Sequence, residues 1–312
     1  MKTEILDEVI ACLPEERTLF HYFKGQYAYQ LLSYASRKQT SVKAMKQSIY
    51  HRLLNQQDIK LLLAELGNGM LNPELFQHVW KDNSQPFVLT VDRWGNNNQW
   101  NYQTTRKGCN LVLQLNFSEM HNRSYQRLVK PEDDYVFNYS GHPVMDRNKR
   151  ERYRDTLAWS RIDLDLDSGE ALIEEIQSDW VRRVKSCLHG IKNGYTPWFL
   201  DWCKCSSEDF IIYAENVLAP FYAVWAEAML SSSIHFIFRE LGIDKIYYHT
   251  HETGQKIKQI YGKAPPRSLY SDLPRKFCFQ ITDEDPEFMK KDSSFKRKKR
   301  SLKQLAWYKL EL

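Results

Sequence analysis

Apolar residues between positions 3 and 80 recur at the spacing of amphipathic helices. One stripe consists of Leu19, Phe20, Phe23, Tyr27, Leu31 and Tyr34, and a second consists of Val42, Met45, Ile49, Leu53, Ile59, Leu62, Leu63 and Leu66. Thr40 or Ser41 is a suitable N-cap for the second stripe, and Gly67 and Gly69 are suitable residues to end it. The pattern predicts a unit of three or four helices over residues 1–82.

From Pro86 onward the pattern changes to that of β-strands. Short segments rich in β-branched and aromatic residues, separated by turn residues, occupy 86–94, 100–106 and 109–117. The segment DRWGNNN, residues 92–98, has the composition of a hairpin connection. Residues 119–155 are polar and without periodicity, which predicts a long loop or a partly ordered insertion.

A hairpin is predicted in the second half, where WSRIDLDLD and ALIEEIQSD flank the turn Asp167-Ser168-Gly169. A long helix follows over 207–241, with a break or kink at Pro220. The segment IDKIYYHT then reads as a strand, ETGQKIKQIYG as a short helix and RKFCFQIT as a final strand.

A helix between the strands that carry Glu175 and Tyr247 implies a crossover connection, and therefore a parallel pair. The predicted fold class is α+β: an N-terminal helical unit, then a mixed-sheet α/β domain over residues 83–312 that contains the candidate site and a basic C-terminal segment.

Composition indicates a folded globular protein, since 42% of residues are hydrophobic, 13% are aromatic and only 12 are glycine. We find no apolar stretch that approaches the roughly 18 residues of a membrane span and no signal peptide pattern at the N-terminus. The six cysteines lack the spacing of a disulfide framework. We therefore expect a cytoplasmic protein with free thiols and no membrane partner.

The segment EEIQSDW is the strongest functional signal in the chain. Strand alternation would place Ala171, Ile173, Glu175, Gln177 and Asp179 on one face. Two carboxylates on either side of an amide must meet water, a cation or a ligand, because burying an isolated carboxylate is expensive. This pattern predicts a site at the end of the strand.

The ends of two parallel strands emerge at the same edge, which is where open α/β sheets bind ligands. This brings in Thr250, Glu252 and, from the intervening helix, Glu227. The expected catalytic residues are Glu175, Asp179, Glu227 and His249, and the expected substrate-binding residues are Gln177, Ser178, Trp225, Thr250, Glu252 and Gln255. Carboxylates with an imidazole can supply a general acid and base.

Other interpretations stay open for these carboxylates. They could hold a divalent cation, or form ordinary salt bridges with Arg182, Arg183 or Lys245. An ADP-ribosyltransferase would use Glu170, Glu174 or Glu175 as its acid, but its companion Arg and Ser-Thr-Ser strands are not evident.

Two further motifs fall outside this group. Cys187-x-His189 and Cys203-x-Cys205 offer four zinc-type ligands, although the one-residue gaps favour free thiols. The basic run Lys296, Arg297, Lys298, Lys299 and Arg300 is either a solvated segment or a nucleic-acid contact, with Trp307 and Tyr308 as base-stacking candidates.

The segments EEIQSDW, WAEAM and GIDKIYYHTHETGQ resemble a module found in large polyvalent proteins of phages and mobile elements, and in uncharacterised stand-alone bacterial proteins. That resemblance implies no known activity. The order of strands and helices is similar to that of GCN5-related acyltransferases, which implies a group transferase.

The chain departs from the acyltransferase pattern after Asp179, because the Gly-rich turn that binds the pyrophosphate of acyl-CoA is missing. The cofactor therefore stays unknown, and both acyl-CoA and a divalent metal remain alternatives. The resulting expectation is a transferase with a carboxylate-rich site and a small-molecule or macromolecular substrate. The alternative is a nucleic-acid- or protein-binding factor that uses the basic segment.

Overall fold

The computed structural model describes residues 1–13, 18–77, 79–95, 103–146, 153–195, 201–258, 266–300, 302 and 305–312. One eight-stranded mixed sheet organises these residues, with the strand order β1-β2-β3-β4-β5-β6-β8-β7. Its strands are β1 (Thr18–Tyr22), β2 (Gln85–Trp94), β3 (Asn110–Phe117), β4 (Thr156–Asp165), β5 (Glu170–Gln177), β6 (Lys245–His249), β7 (Gln280–Thr282) and β8 (Trp307–Glu311). Strands β5 and β6 are parallel, and every other neighbouring pair is antiparallel.

Helices lie on both faces of this sheet. They are α1 (Thr3–Ala11), α2 (Gln26–Ala35), α3 (Val42–Lys46), α4 (Gln57–Ala64), α5 (Glu119–Leu128), α6 (Asp179–Lys192), α7 (Ser207–Ile212), α8 (Ala219–Tyr222), α9 (Trp225–His235), α10 (His251–Lys258), α11 (Arg267–Tyr270), α12 (Asp272–Lys276), α13 (Glu287–Lys291) and α14 (Ser293–Arg300). Segments His51–Asn55 and Pro73–Phe76 are 3₁₀-helical, and Tyr213–Leu218 and Phe236–Glu240 are π-helical. The predicted α+β class is confirmed.

The N-terminal region is helical, but it begins with an edge strand of the sheet. Residues 18–22 were expected to open a helix and instead form β1, paired with β2 from Thr18↔Leu89 to Tyr22↔Gln85. The helical stripe starts only at α2, whose N-cap Gly25 has φ +91°, a conformation that favours glycine. Ser41 caps α3 as predicted, accepting from the Ala44 amide at 3.2 Å. The sheet therefore crosses the boundary expected near residue 82.

Between residues 100 and 155 the strand prediction is wrong and the prediction of a long loop is met only in part. Residues 103–106 form a loop instead of a strand, and their hydrogen bonds to β4 and β5 come from side chains and from the Thr105 amide to the Glu174 carboxylate. Residues 96–102 lie outside the described residues. The long loop predicted over 119–155 contains helix α5, whose N-cap Ser118 accepts from the His121 amide.

The C-terminal half follows the prediction more closely. The hairpin of β4 and β5 and the parallel pairing of β5 with β6 are both confirmed. The final strand was predicted over RKFCFQIT, and only its last three residues form a strand, β7. The last strand of the chain is β8, which lies between β6 and β7. Pro220 lies in the first turn of α8, just after the first π-helical segment.

The helical run Ser207–Glu240 has the length and composition that would allow it to cross a membrane, contrary to the sequence-based expectation. Sixty-one per cent of its most apolar window is buried inside the protein. The same properties are found in core helices, and here α9 packs on β4 and β5.

Two apolar clusters mark the two faces of the sheet. The larger contains Ile162, Ile173 and Ile246 from the central strands together with the residues of α2, α6 and α9. The smaller contains Leu172, Tyr247 and Trp307 together with residues of α13 and α14. We refer to these as the helix face and the opposite face.

Candidate functional site

A β-bulge in β5 determines where the carboxylates of EEIQSDW lie. Arg161 of β4 pairs with Glu175 and Ile162 pairs with Ile173, so Glu174 has no partner in β4. Ile173 and Ile176 consequently pack in the same cluster on the helix face, although they are three residues apart. The expected alternation therefore fails at this point, and Glu174 and Glu175 both turn to the opposite face.

Glu174 is the centre of a buried polar cluster on that face. Its side chain is 0% exposed. Its Oε1 accepts from the Thr105 amide at 2.8 Å and its Oε2 from the Thr105 hydroxyl at 2.7 Å. Burial alone would raise the pKa of Glu174, but the hydrogen bond to His249 and the positive charges of Lys258 and Arg161 hold this pKa well below its usual range. Glu174 is therefore an ionised carboxylate inside the protein.

His249, at the end of β6, is oriented by this carboxylate. Its Nε2 lies 2.8 Å from the Thr105 hydroxyl and 3.2 Å from Glu174 Oε2. Burial lowers the pKa of His249 below its usual value, so the imidazole is neutral near pH 7. Since Thr105 donates its own proton to Glu174, Nε2 carries the proton of the neutral ring and donates it.

This arrangement leaves the lone pair of His249 on Nδ1. Nδ1 is buried and has no hydrogen-bond partner among the described residues. The backbone of Gly254 lies against the same side of the ring: a Cβ added at Gly254 would be 3.3 Å from the Cβ of His249 and 4.0 Å from Nδ1. Neutral histidines with one nitrogen held by a carboxylate and the other free are typical general bases.

Lys258, near the end of α10, adds a buried cation. Its ammonium donates to the Glu174 carbonyl and lies 3.6 Å from Glu174 Oε2. The side chain is 1% exposed, and burial lowers the pKa of this lysine. We refer to Glu174 and His249 as the dyad. A cation beside the dyad can stabilise negative charge that develops on a bound substrate.

Glu175 and Arg161 form a second ion pair on the same face. Their side chains are 14% and 1% exposed. Burial would raise the pKa of Glu175, but the charges of Arg161 and Lys258 keep it low. Glu175 is therefore ionised and held in a salt bridge. Its partner is Arg161, however, and not the expected Arg182, Arg183 or Lys245.

Asp179 is likewise bound by neighbours. It is the first residue of α6, and its buried carboxylate contacts Nδ1 of His142 at 2.5 Å, Nε2 of Gln177 at 2.6 Å and the guanidinium of Arg182 at 2.7 Å. A carboxylate at a helix N-terminus is also stabilised by the helix dipole. Donors of the protein therefore occupy both oxygens of the Asp179 carboxylate.

The other expected residues separate into distinct places. Glu227 accepts from the Tyr22 hydroxyl at 3.2 Å and the Gly25 amide at 3.0 Å and pairs with Lys276. It thus joins α9 to the N-terminal segment and α12, and it makes no described contact with the strand-end cluster. Trp225 opens the same helix and packs against the apolar core. The expectation that Glu227 joins the carboxylates of β5 is wrong.

Ser178 and Thr250 are helix caps. Ser178 accepts from the Val181 amide at 3.1 Å and donates to the Leu157 carbonyl at 2.5 Å. Thr250 accepts from the Thr253 amide at 3.2 Å and donates to the Ala306 carbonyl at 3.0 Å. Both hydroxyl groups are therefore hydrogen-bonded within the protein, and Thr250 also lines a cleft beside the end of β6.

A cleft of about 640 Å³ lies beside the end of β6. Its lining includes Lys256, Arg267 and Arg275 as well as Glu252, which pairs with Arg267 at 3.2 Å. Tyr270 also lines it, and the charge of Glu175 is among the causes that, after burial, raise the pKa of this tyrosine. Glu174, His249 and Lys258 are not among the residues that line this cleft. Gln255, half-buried on α10, is not among the residues that line it.

The basic run forms helix α14 and is partly docked. Lys298 donates to the carbonyls of Thr104 and Thr105 at 2.9 and 3.2 Å, and Lys299 pairs with Asp285. Lys296, Arg297 and Arg300 are exposed. Trp307 and Tyr308 are 0% and 2% exposed in β8. The expectation that these two rings stack on bases is wrong, because both are buried in the sheet.

The proposed zinc ligands do not converge as a set. Cys187 and Cys203 are buried and Cys205 is half-buried, while the exposed ring of His189 contacts Asn193. Burial raises the pKa of the Cys187 thiol. Across the described ranges, no group of three or more His, Cys, Asp or Glu side chains is placed to hold a metal ion.

Sequence reasoning thus found the strand and His249 but missed Thr105, Arg161 and Lys258 as members of the site. It named Glu174 only as a possible acid of an ADP-ribosyltransferase. Alternation placed Glu174 on the face of Leu172, where it lies, but it placed Glu175 on the face of Ile173 because it takes no account of the bulge. Thr105 lies in a loop about 70 positions before Glu174, and no local sequence pattern predicts a contact over that separation. Lys258 could have been suggested by its position one turn after Gly254 in the helix that follows β6.

Comparisons with protein families, with curated proteins and with solved structures found no match.

Proposed function

We propose that this protein is a group transferase in which His249, held by Glu174 and Thr105, acts as a general base, and that the transferred group is an acyl group. The observation that carries the proposal is the buried imidazole with Nε2 bound to the carboxylate and Nδ1 free. A carboxylate that orients a neutral histidine also stabilises the imidazolium that forms when the base takes a proton.

The strand order supports acyl transfer over other group transfers. Parallel β5 and β6 pair only from Glu170↔Lys245 to Ile173↔Tyr248, and beyond that point the bulge leaves the cluster between the two strand ends. The last strand, β8, lies between β6 and β7. This succession agrees with the resemblance to GCN5-related acyltransferases. The dissimilar feature is the N-terminus of α6, where Asp179 takes the place of a phosphate-binding turn.

The proposed step uses only groups at this cluster. The acceptor, an amine or hydroxyl, loses its proton to Nδ1 of His249 as its nitrogen or oxygen attacks the acyl carbon. Lys258 stabilises the negative charge on the carbonyl oxygen. The bond between the acyl carbon and the leaving group breaks, and the leaving group receives the proton from the imidazolium.

The test is turnover of acyl-CoA thioesters of several chain lengths with a panel of amines and alcohols, with release of CoA followed by chromatography. The variant His249→Gln should lose at least ~100-fold in rate. The matched control is His121→Gln, which replaces another buried histidine at a distance from the cluster. A second variant, Glu174→Gln, tests the carboxylate that orients His249. Its matched control is Asp285→Asn, because Asp285 is a buried carboxylate outside the dyad.

Equal rates for His249→Gln and the native chain would show that the imidazole is not the base. If no thioester is consumed by the native chain with any acceptor or with water, acyl transfer is wrong for this site.

A further inference from the structure

Arg161 is an almost fully buried cation with unused hydrogen-bond donors. Its side chain is 1% exposed. Nη2 donates to Glu175 and to the Gln103 carbonyl at 3.2 Å. Nε and Nη1 have no partner among the residues that the structure describes. Three of the five N–H bonds of this guanidinium are therefore unsatisfied.

Trp159 presents another such donor on the same strand. It is two residues from Arg161 in β4, so both side chains lie on the same face. Its indole is 3% exposed, and Nε1 has no partner in the described ranges. The ring of Trp94 connects the two: the Arg161 guanidinium lies 4.9 Å from its centroid, and the Trp159 ring stacks on it with centroids 6.4 Å apart.

The unsatisfied groups at this place are all donors. A buried donor without a partner costs free energy comparable to a lost hydrogen bond, and such groups in folded proteins are rare. Arginine and tryptophan have no acceptor atoms to offer. A ligand that satisfies them must therefore bring several acceptor oxygens, and the buried positive charge favours one that is negative.

The surroundings agree with this requirement. Glu175 neutralises one side of Arg161 and keeps the guanidinium in place, while its other nitrogens remain for a ligand. The ring of His142 packs edge-on against Trp159 with centroids 5.6 Å apart, and it also binds Asp179. Asp179 pairs with Arg182 and Glu175 pairs with Arg161, which reduces the repulsion of an anion by these two carboxylates.

From these contacts we infer that Arg161 and Trp159 form a binding subsite for an oxyanion, the carboxylate or phosphate group of a small-molecule ligand. Arg161 supplies the charge and several N–H bonds, and Trp159 supplies one neutral N–H bond. Because Arg161 pairs with Glu175 and Glu175 follows Glu174 in β5, the subsite lies next to the proposed dyad. The inference rests on the proposed function and extends it by naming the chemistry of the substrate. Its test measures the binding of anions, whereas the test of the proposed function measures thioester turnover.

The experiment is a titration of the ¹⁵N-labelled full chain with inorganic phosphate, with acetate and with chloride at constant ionic strength. The indole N–H signal of Trp159 is assigned by its loss in Trp159→Phe. This signal should shift in a saturable way with phosphate or with acetate, and the more effective anion identifies the kind of ligand. A shift no larger than that with chloride for both anions would overturn the inference.

Variants then distinguish anion binding at Arg161 and Trp159 from unspecific attraction of anions to the protein. Trp159→Phe keeps the ring and removes one N–H, and it should weaken anion binding, measured by the rise in Tm with anion concentration, by about 10-fold. The double variant Arg161→Gln/Glu175→Gln, which leaves no unpaired charge, should abolish binding. Arg267→Gln, in the open cleft, should leave the shift of the Trp159 signal unchanged. Loss of that shift in Arg267→Gln with no effect of Trp159→Phe would place the anion in the cleft and contradict the proposal.

Discussion

Glu174 and Glu175 are consecutive residues of one strand, yet both carboxylates lie on the same face of the sheet. The bulge at Glu174 produces this arrangement, because it offsets the pairing of β5 with β4 by one residue. Two carboxylates side by side would repel each other, but Lys258 and Arg161 lie between and beside them. The bulge thus places two charged side chains next to each other, buried on one face of the strand.

Gly254→Ala should disturb His249 more than it disturbs the fold. The new methyl group would meet His249 Cβ at 3.3 Å and Cγ at 3.5 Å, so the imidazole must move by a few tenths of an ångström. We expect a loss of about 1 kcal/mol in stability and about 10-fold in any rate that depends on His249. Thermal unfolding and the CoA-release assay measure these two effects. Gly67→Ala is the control, since nothing lies within 4 Å of its added Cβ.

Arg106→Met should destabilise the loop that carries Thr105. Arg106 contacts the fully buried Asp163 through Nε at 2.7 Å and Nη2 at 3.0 Å, and it packs over the ring of Phe288. Without Arg106 the buried Asp163 keeps the Met1 ammonium at 2.8 Å as a partner but loses two charged hydrogen bonds. We therefore expect a loss of about 2 kcal/mol in urea unfolding.

The control for this change is Arg123→Ala, which breaks an exposed i,i+4 pair with Glu119. Such pairs contribute less than about 1 kcal/mol. Equal losses for the two variants would show that the Arg106–Asp163 pair does not hold the loop.

His121 should make the protein less stable as the pH falls. This histidine stacks on Phe117 with centroids 3.5 Å apart, and burial lowers its pKa from 6.5 to about 3. Between these two values the unfolded chain binds a proton that the folded protein does not, so stability decreases as pH falls below about 6.5. The decrease continues until the folded pKa near 3 is reached.

The variant His121→Phe removes this titration and keeps an aromatic ring against Phe117, at the loss of the hydrogen bond to the Tyr213 hydroxyl. Its free energy of unfolding should therefore vary less between pH 7 and pH 4 than that of the native chain, measured by urea unfolding at each pH. A native-like dependence in the variant would mean that other groups cause the acid sensitivity.

Lys298→Met should destabilise the protein, whereas Lys296→Met should not. Lys298 lies in the basic run but donates to the carbonyls of Thr104 and Thr105. We expect a loss of about 1–2 kcal/mol from the missing charged hydrogen bonds. Lys296 is exposed on the same helix, so its replacement should change stability by less than about 0.5 kcal/mol. Equal effects would indicate that the run acts as a solvated segment throughout.

Sequence patterns located several elements well. The hairpin that carries EEIQSDW was predictable because the alternation of Ile162, Leu164 and Leu166 with charged residues is local, as is its turn. The parallel pairing followed from the connecting helix. Strand β1 was misread because its apolar residues Leu19 and Phe20 continue the helical stripe of α2, and only pairing with β2 decides between the two structures.

The sequence by itself determined the α+β class, the strand that ends in the site and the presence of His249 at the end of β6, since these depend on local periodicity and on connection rules. The tertiary structure decided which carboxylate binds the histidine, which cations neutralise the pair and that the basic run is partly docked. Those outcomes depend on a one-residue bulge and on contacts between distant segments such as Thr105 and Glu174. Hydrogen bonds and ion pairs of that kind are set by three-dimensional proximity, which local residue order does not encode.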